Sequence, residues 1–292
     1  MLGLAVSGGP DSLALLLLAA AAFPGRVIAA TVDHGLRPEA AEEARFVGEI
    51  CAARGVPHTV LTGALPAGNL QESARELRYA LLAEWARDRA PHVATGHQQD
   101  DLAETLLMRA RRGAGVSGLA AMHSARPLGG VTLIRPLLGW SRAALEAIVA
   151  AAGLTPVHDP SNRDPRFDRA RMRHLLAESP ELPADRLALA ARNLRHAEDA
   201  LAWATEREWQ ARGRIDAGCV VLDARGLPYE LRRRLVERAV QSVCAGPALR
   251  GESLDRLLAT LDAGGTGTIA GVKAGAKYAE WRFSAAPARR SH

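Results

Sequence analysis

Between Leu2 and Ala152, short apolar runs alternate five times with longer helix-forming segments, and that rhythm leaves few folds open. Strands are predicted at Leu2–Val6, Val27–Val32, His58–Thr62, His92–Thr95 and Val131–Ile134. Helices are predicted at Ser12–Ala22, Pro38–Arg54, Gln71–Asp88, Asp100–Arg111 and Ser141–Ala152. Repeated βα units of this spacing call for the α/β class, with a parallel five-stranded sheet and helices on both faces. Ligands of such sheets sit beyond the carboxyl ends of the strands, so the residues just after each strand are the ones to weigh.

The first of these turns reads Ser7-Gly8-Gly9-Pro10-Asp11-Ser12. Two glycines let the backbone turn tightly and aim successive N–H groups into one concavity. The helix that follows adds unpaired N–H donors, the positive end of its dipole and the Ser12 hydroxyl, so the loop is built to hold a phosphate or pyrophosphate. It lacks the Gly-Lys-Ser/Thr of a Walker A loop and is not a GxGxxG fingerprint. Asp11 is the expected magnesium contact. Asp33, at the end of the second strand, is placed for the nucleotide or its magnesium, and His97, at the end of the fourth, for orienting or acid–base work. Asp101 and Glu104 are three apart on a predicted helix and share a face suited to an ammonium group, with Asp100 as the solvated acid.

Arginine dominates the charge, with 35 Arg against 2 Lys. Residues 1–150 carry 14 Arg and 14 Asp+Glu, so the whole excess of +5 arises in residues 151–292. That asymmetry suggests a polyanionic partner held partly by the C-terminal region. Arg109, Arg111 and Arg112 precede Gly113-Ala114-Gly115, and Arg163, Arg166, Arg169, Arg171 and Arg173 form a second basic cluster. The longest apolar run, Leu13–Phe23, is too short to span a bilayer, and the lone cysteines Cys51, Cys219 and Cys244 argue against a disulfide framework or a cysteine metal site. A reducing cytoplasm is the expected compartment, with no membrane association, and a homodimer is compatible with the sequence. Trp203, Trp209 and Trp281 are expected as core or interface anchors.

The Ser7–Ser12 loop at the first βα turn resembles the signature of the PP-loop ATP pyrophosphatase superfamily, which adenylates an oxygen and releases pyrophosphate. Further segments, Val32-Asp33-His34-Gly35-Leu36-Arg37, Ala74–Tyr79, Ala94–Thr105, Arg112–Gly115, Arg135–Leu138 and Asp159–Asn162, are similar in kind and order to the tRNA(Ile)-lysidine synthase family. The resemblance is dense over residues 1–180 and loose beyond. It implies a HUP-like nucleotide-binding fold that uses ATP and Mg²⁺ to attach free L-lysine to C2 of the wobble cytidine of tRNA(Ile). It assigns Asp101 and Glu104 to lysine, Arg78 to the triphosphate, and the two basic clusters to tRNA phosphates, with Arg169 and Arg173 also reaching toward the nucleotide. Three departures stand out. Gly96 replaces the first histidine of an Ala-His-His triplet, Arg169-Ala170 replaces Arg-Asn, and the chain opens directly on its first strand, which suggests a start further upstream. Expected domains are the catalytic domain at 1–180, a long helix at 181–215, a small, mostly helical α+β tRNA-binding domain at 216–285 and a disordered tail at 286–292. The alternatives are a tRNA-thiolating relative, for which the cysteines are ill placed, and a nucleotide-binding RNA adaptor without catalysis.

Overall fold

The computed structural model describes residues 1–33, 35, 39–63, 70–120, 122–157, 166, 168–244, 249, 251–277 and 280–287. His34, the Asp159–Asn162 motif, Arg163 and the last five residues of the expected tail lie outside the described residues. The chain divides into two compact units, Met1–Arg195 and His196–His292.

In the first unit, β1 (Leu2–Ala5), β2 (Val27–Asp33), β3 (His58–Thr62), β4 (His92–Thr95) and β6 (Val131–Ile134) are the five parallel strands expected. A sixth, β5 (Ala125–Leu128), pairs antiparallel with β6 and closes one edge, giving the order β3-β2-β1-β4-β6-β5. It contains Pro127 and only four residues, which hides it from periodicity and suits it to an edge. Helices α1 (Pro10–Ala22), α2 (Glu39–Ala52), α3 (Leu70–Ala86), α4 (Gln99–Ala110) and α6 (Arg142–Ala151) follow their strands, with a short α5 (Val116–Leu119) between.

Alternation along the strands separates two cores. Leu4, Val27, Ala29 and Ala94 pack with α1, α2 and α6, whereas Ala5, Ala30, Val93 and Leu133 pack with Leu82, Trp85 and Ala86 of α3. Helix α7 (Asp168–Glu178) packs on α4, and the first part of α8 (Ala184–Arg212) covers Leu102 and Leu106 of α4. Strand order reverses between β1 and β4, the crevice where open α/β sheets take ligands.

In the second unit, β7 (Gly213–Asp216), β8 (Cys219–Asp223), β9 (Thr266–Ile269), β10 (Val272–Lys277) and β11 (Glu280–Ala285) form one antiparallel sheet, order β7-β8-β11-β10-β9. The sequence suggests three strands here, near Cys219–Leu222, Thr268–Gly271 and Lys277–Phe283; β7 follows α8 without a break and β10 is rich in Ala and Gly. Helices α9 (Tyr229–Val243) and α10 (Gly251–Asp262) bury Leu235, Val236, Leu254 and Leu258 against Leu222, Trp281 and Phe283. Trp281 is thus core and Trp209 packs beside it, but Trp203 is 62% exposed with the Arg207 guanidinium 5.0 Å over its ring, so it is no core anchor. Among the described residues, no helix is long and apolar enough to cross a membrane.

Candidate active site

The loop after β1 is held open by its own serines. Ser12 Oγ accepts the Ser7 N–H at 3.1 Å, lies 3.3 Å from Ser7 Oγ and donates to the Gly9 carbonyl at 2.9 Å. Gly8 turns at φ +82°, and a Cβ there would meet Val157 Cγ2 at 3.1 Å. Gly9 is the extended N-cap of α1 without a side-chain cap, and Pro10 opens the helix. The first N–H groups of α1 therefore face outward unsatisfied, which is a ready phosphate seat.

The turn after β4 lies flat against this loop. A Cβ on Gly96 would stand 2.9 Å from both the carbonyl carbon and oxygen of Asp11 and 3.0 Å from the Ser12 nitrogen. That contact corrects the register read from sequence. With no room for a side chain at Gly96, the small residue of the Ala-His-His triplet falls there, His97 is its first histidine, and Gln98 replaces the second. Gln98 is fully buried and caps α4: its Oε1 accepts the Asp100 N–H at 2.5 Å while its own N–H donates to Asp101 Oδ2 at 3.1 Å.

His97 Nδ1 lies 2.8 Å from Thr95 Oγ1. Burial first, and then Arg135, Arg78, Arg169 and Arg75, hold it well below the usual imidazole range, so it stands as a neutral ring at pH 7. Asp11 behaves oppositely. Burial and the neighbouring charge of Asp101 push it up to about 6, and its buried Oδ1 has no hydrogen-bond partner among the described residues. Asp101 is raised too, chiefly by burial, against the opposing pull of Arg169 and with Glu104 adding to the rise. Burial is the first cause at both acids, and it outweighs the arginines that pull the other way.

Glu104 is not the bare acid the sequence suggests. It is fully buried, and Oε1 accepts from Arg142 Nη2 at 2.9 Å and Arg173 Nε at 3.0 Å, while Arg169 Nε stands 3.4 Å from Oε2. Arg169 and Arg173, expected on tRNA phosphates, thus point inward to a carboxylate, because α7 packs on α4. Oε2 keeps no hydrogen-bond partner. Arg109 also departs from expectation: its Nη1 donates to the Gly118 carbonyl at 2.7 Å and ties down α5. Arg111 and Arg112, with Arg171, surround Asp168 at the surface, three guanidiniums on one carboxylate. Asp33 ends β2 and accepts the Gly35 N–H at 2.8 Å; no contact joins it to His97 or Asp11. Arg78 is half-buried without an ion pair among the described residues.

Sequence reasoning passes over Arg142, Gln98 and Arg135. Arg142 lies 38 residues from Glu104 and carries no local signal. Arg135 stands in a quoted motif, which was the available hint.

The PP-loop domain family matches residues 1–179. The tRNA(Ile)-lysidine synthase of Zymomonas mobilis is 48% identical over 301 residues, covering 99% of this chain and 89% of that protein. The one from Novosphingobium aromaticivorans is 49% identical, covering 99% and 90%. Among solved structures, a U34-tRNA thiolase from Methanococcus maripaludis superposes with TM-score 0.56 at 17% identity, covering 67% of this chain and 71% of that one, a likeness of fold alone. With the loop, the Gly96 contact and the acidic helix in place, and relatives aligned nearly end to end, the chain belongs to the tRNA(Ile)-lysidine synthase family of PP-loop proteins.

Proposed function

We propose that this chain ligates lysine to the wobble cytidine of tRNA(Ile) in two ATP-driven steps. The cytidine C2 oxygen attacks the α-phosphorus of ATP and pyrophosphate leaves. The lysine side-chain amine then attacks C2, loses a proton, and expels AMP together with the former C2 oxygen. Adenylation is needed because a carbonyl oxygen is otherwise a poor leaving group, and the base has to be unstacked to enter the crevice.

The observation that carries this reading is Gly96 against Asp11, since it places the acidic helix α4 and the phosphate loop side by side. The first N–H groups of α1, those of Asp11 and Ser12, cradle the phosphates, and Arg78, lacking an ion pair among the described residues, supports the departing charge. His97, neutral and held by Thr95, orients the base or accepts the proton that the attacking lysine amine loses. Asp101, together with the Glu104 Oε2 that no hydrogen bond satisfies, takes the lysine ammonium.

Asp11 fits magnesium, with a buried oxygen lacking a partner and a second carboxylate nearby. Among the described residues no three His, Cys, Asp or Glu side chains form a metal cluster, so phosphate oxygens and water would complete the shell. When bound, the ion supplies charge neutralisation at the leaving pyrophosphate. The thiolation alternative has little support, as Cys51 is buried in the α1–α2 core and Cys219 and Cys244 belong to the second unit.

Mass analysis of tRNA(Ile) after incubation with ATP, magnesium and each amino acid in turn tests the reading. A lysine-only mass gain with release of AMP and pyrophosphate is expected; a gain with sulfide, or none, overturns it. Glu104→Ala should raise the lysine requirement far more than the ATP requirement, and equal effects would remove the acidic-pair assignment.

A further inference from the structure

On the α3 face of the sheet a second set of cations stands apart from the Glu104 network. Tyr79 of α3 carries two guanidiniums over its ring: Arg75 of the same helix at 5.3 Å from the centroid, and Arg126 of edge strand β5 at 4.7 Å. Arg135, just past β6, lies behind them and is 6% exposed. Its Nη1 donates to the His123 carbonyl at 2.6 Å, while its buried Nε has no partner among the described residues. Arg78 completes the group. Among the described residues, none of these four arginines is in an ion pair, unlike the inward arginines on Glu104.

The positive field is strong enough to register on its neighbours. Burial alone would raise the Tyr79 phenol, yet Arg75, Arg78, Arg135 and a hydrogen bond from Arg126 bring it below its ordinary range. The same Arg135, Arg78 and Arg75 depress His97. Three of these like charges, Arg75, Arg126 and Arg135, are held in place by stacking or a backbone bond; like charges repel one another, and an oxyanion is what relieves them. A guanidinium stacked on a ring is also pre-oriented, so less freedom is lost when it binds.

We infer that the Arg75–Tyr79–Arg126 stack, backed by Arg135, seats a phosphodiester of the RNA substrate beside the base that enters the crevice. The inference rests on the tRNA-ligase reading above and adds to it a backbone grip. The phosphates of ATP are served by the loop after β1, and β5 lies three strands away, about 14 Å across the sheet. Arg75 is exposed and Arg126 half-exposed, open to a long polymer. A ring already under two guanidiniums is not a free platform for a base, which favours backbone over base contact.

The test uses the full chain and an unmodified tRNA(Ile) transcript with the CAU anticodon, titrated by fluorescence anisotropy over a range of salt, with calorimetry for ATP. Arg75→Gln and Arg126→Gln should each weaken RNA binding about tenfold at physiological salt and lower the salt slope by about 1, and together by about 2. ATP affinity should change less than twofold. Arg126→Lys keeps the charge and the strand, so it should restore the slope even where a glutamine variant folds poorly. Unchanged RNA affinity and slope in the variants, with the wild-type chain binding RNA and making lysidine, overturn the grip alone. ATP binding that weakens as much as RNA binding also overturns it, by assigning the cluster to the nucleotide. A wild-type chain that binds no tRNA overturns the grip and the ligase reading together.

Discussion

Glu104→Gln is the sharpest single perturbation of the first unit. The substitution preserves shape and one acceptor oxygen but removes the charge that Arg142, Arg169 and Arg173 share. Breaking a buried ion pair by removing one partner costs about 3–5 kcal/mol, because the other charge is left uncompensated. The Glu104 side chain is 1% exposed, but Arg142, Arg169 and Arg173 are 21%, 38% and 35% exposed and can rehydrate. That access pulls the expected loss to the lower end, about 3 kcal/mol. For a unit of this size each kcal/mol shifts Tm by about 2–4 °C, so a fall of about 6–12 °C is expected. Scanning calorimetry of the full chain reads it as displacement of one transition. A double variant, Glu104→Gln with Arg142→Gln, should lose less than the sum of the singles by about 1–2 kcal/mol, since each single already breaks the shared contact. A shift below about 2 °C, or additive losses, would show that the arginines are near Glu104 without holding α4, α6 and α7 together.

Three further outcomes follow from the same geometry. The folded chain holds the Asp11 proton up to about 6 against 3.8 for the free side chain, so wild-type stability should fall relative to Asp11→Asn as pH rises from about 4 to 6. The difference is about 2–3 kcal/mol and is read from paired thermal melts; a gap in Tm that does not move with pH refutes the cause. Gly96→Ala drives a methyl into the Asp11 backbone and should cut ATP-dependent pyrophosphate release about 100-fold by displacing the two turns; activity within fivefold of wild type would show that they can part freely. Arg111→Ala with Arg112→Ala removes two of the three guanidiniums on Asp168 and should lower the salt slope of tRNA binding by about 2 with ATP binding intact; an unchanged slope would make that cluster purely structural.

What was legible in the sequence was whatever is carried by near neighbours along the chain. The parallel strands announce themselves as apolar runs, the phosphate loop as six consecutive residues, and the shared face of Asp101 and Glu104 as a spacing of three. β5 was not legible because a proline in a four-residue edge strand satisfies no periodic pattern, nor was β10, whose Ala and Gly positions carry little apolar signal. The larger gap is in pairing. Whether Glu104 stands bare or compensated depends on arginines 38 to 69 residues further along, brought in by the packing of α6 and α7. The charge count shows why composition could not stand in for this. Residues 1–150 sum to zero, yet three of their arginines, Arg75, Arg78 and Arg135, act on His97 while burial and the charge of Asp101 hold the Asp11 proton a short way off. Folding has sorted one neutral inventory into an anion-seeking pocket and a cation-seeking one. A reaction that brings in a triphosphate, an ammonium and an RNA strand at once requires that segregation, and the net charge cannot express it.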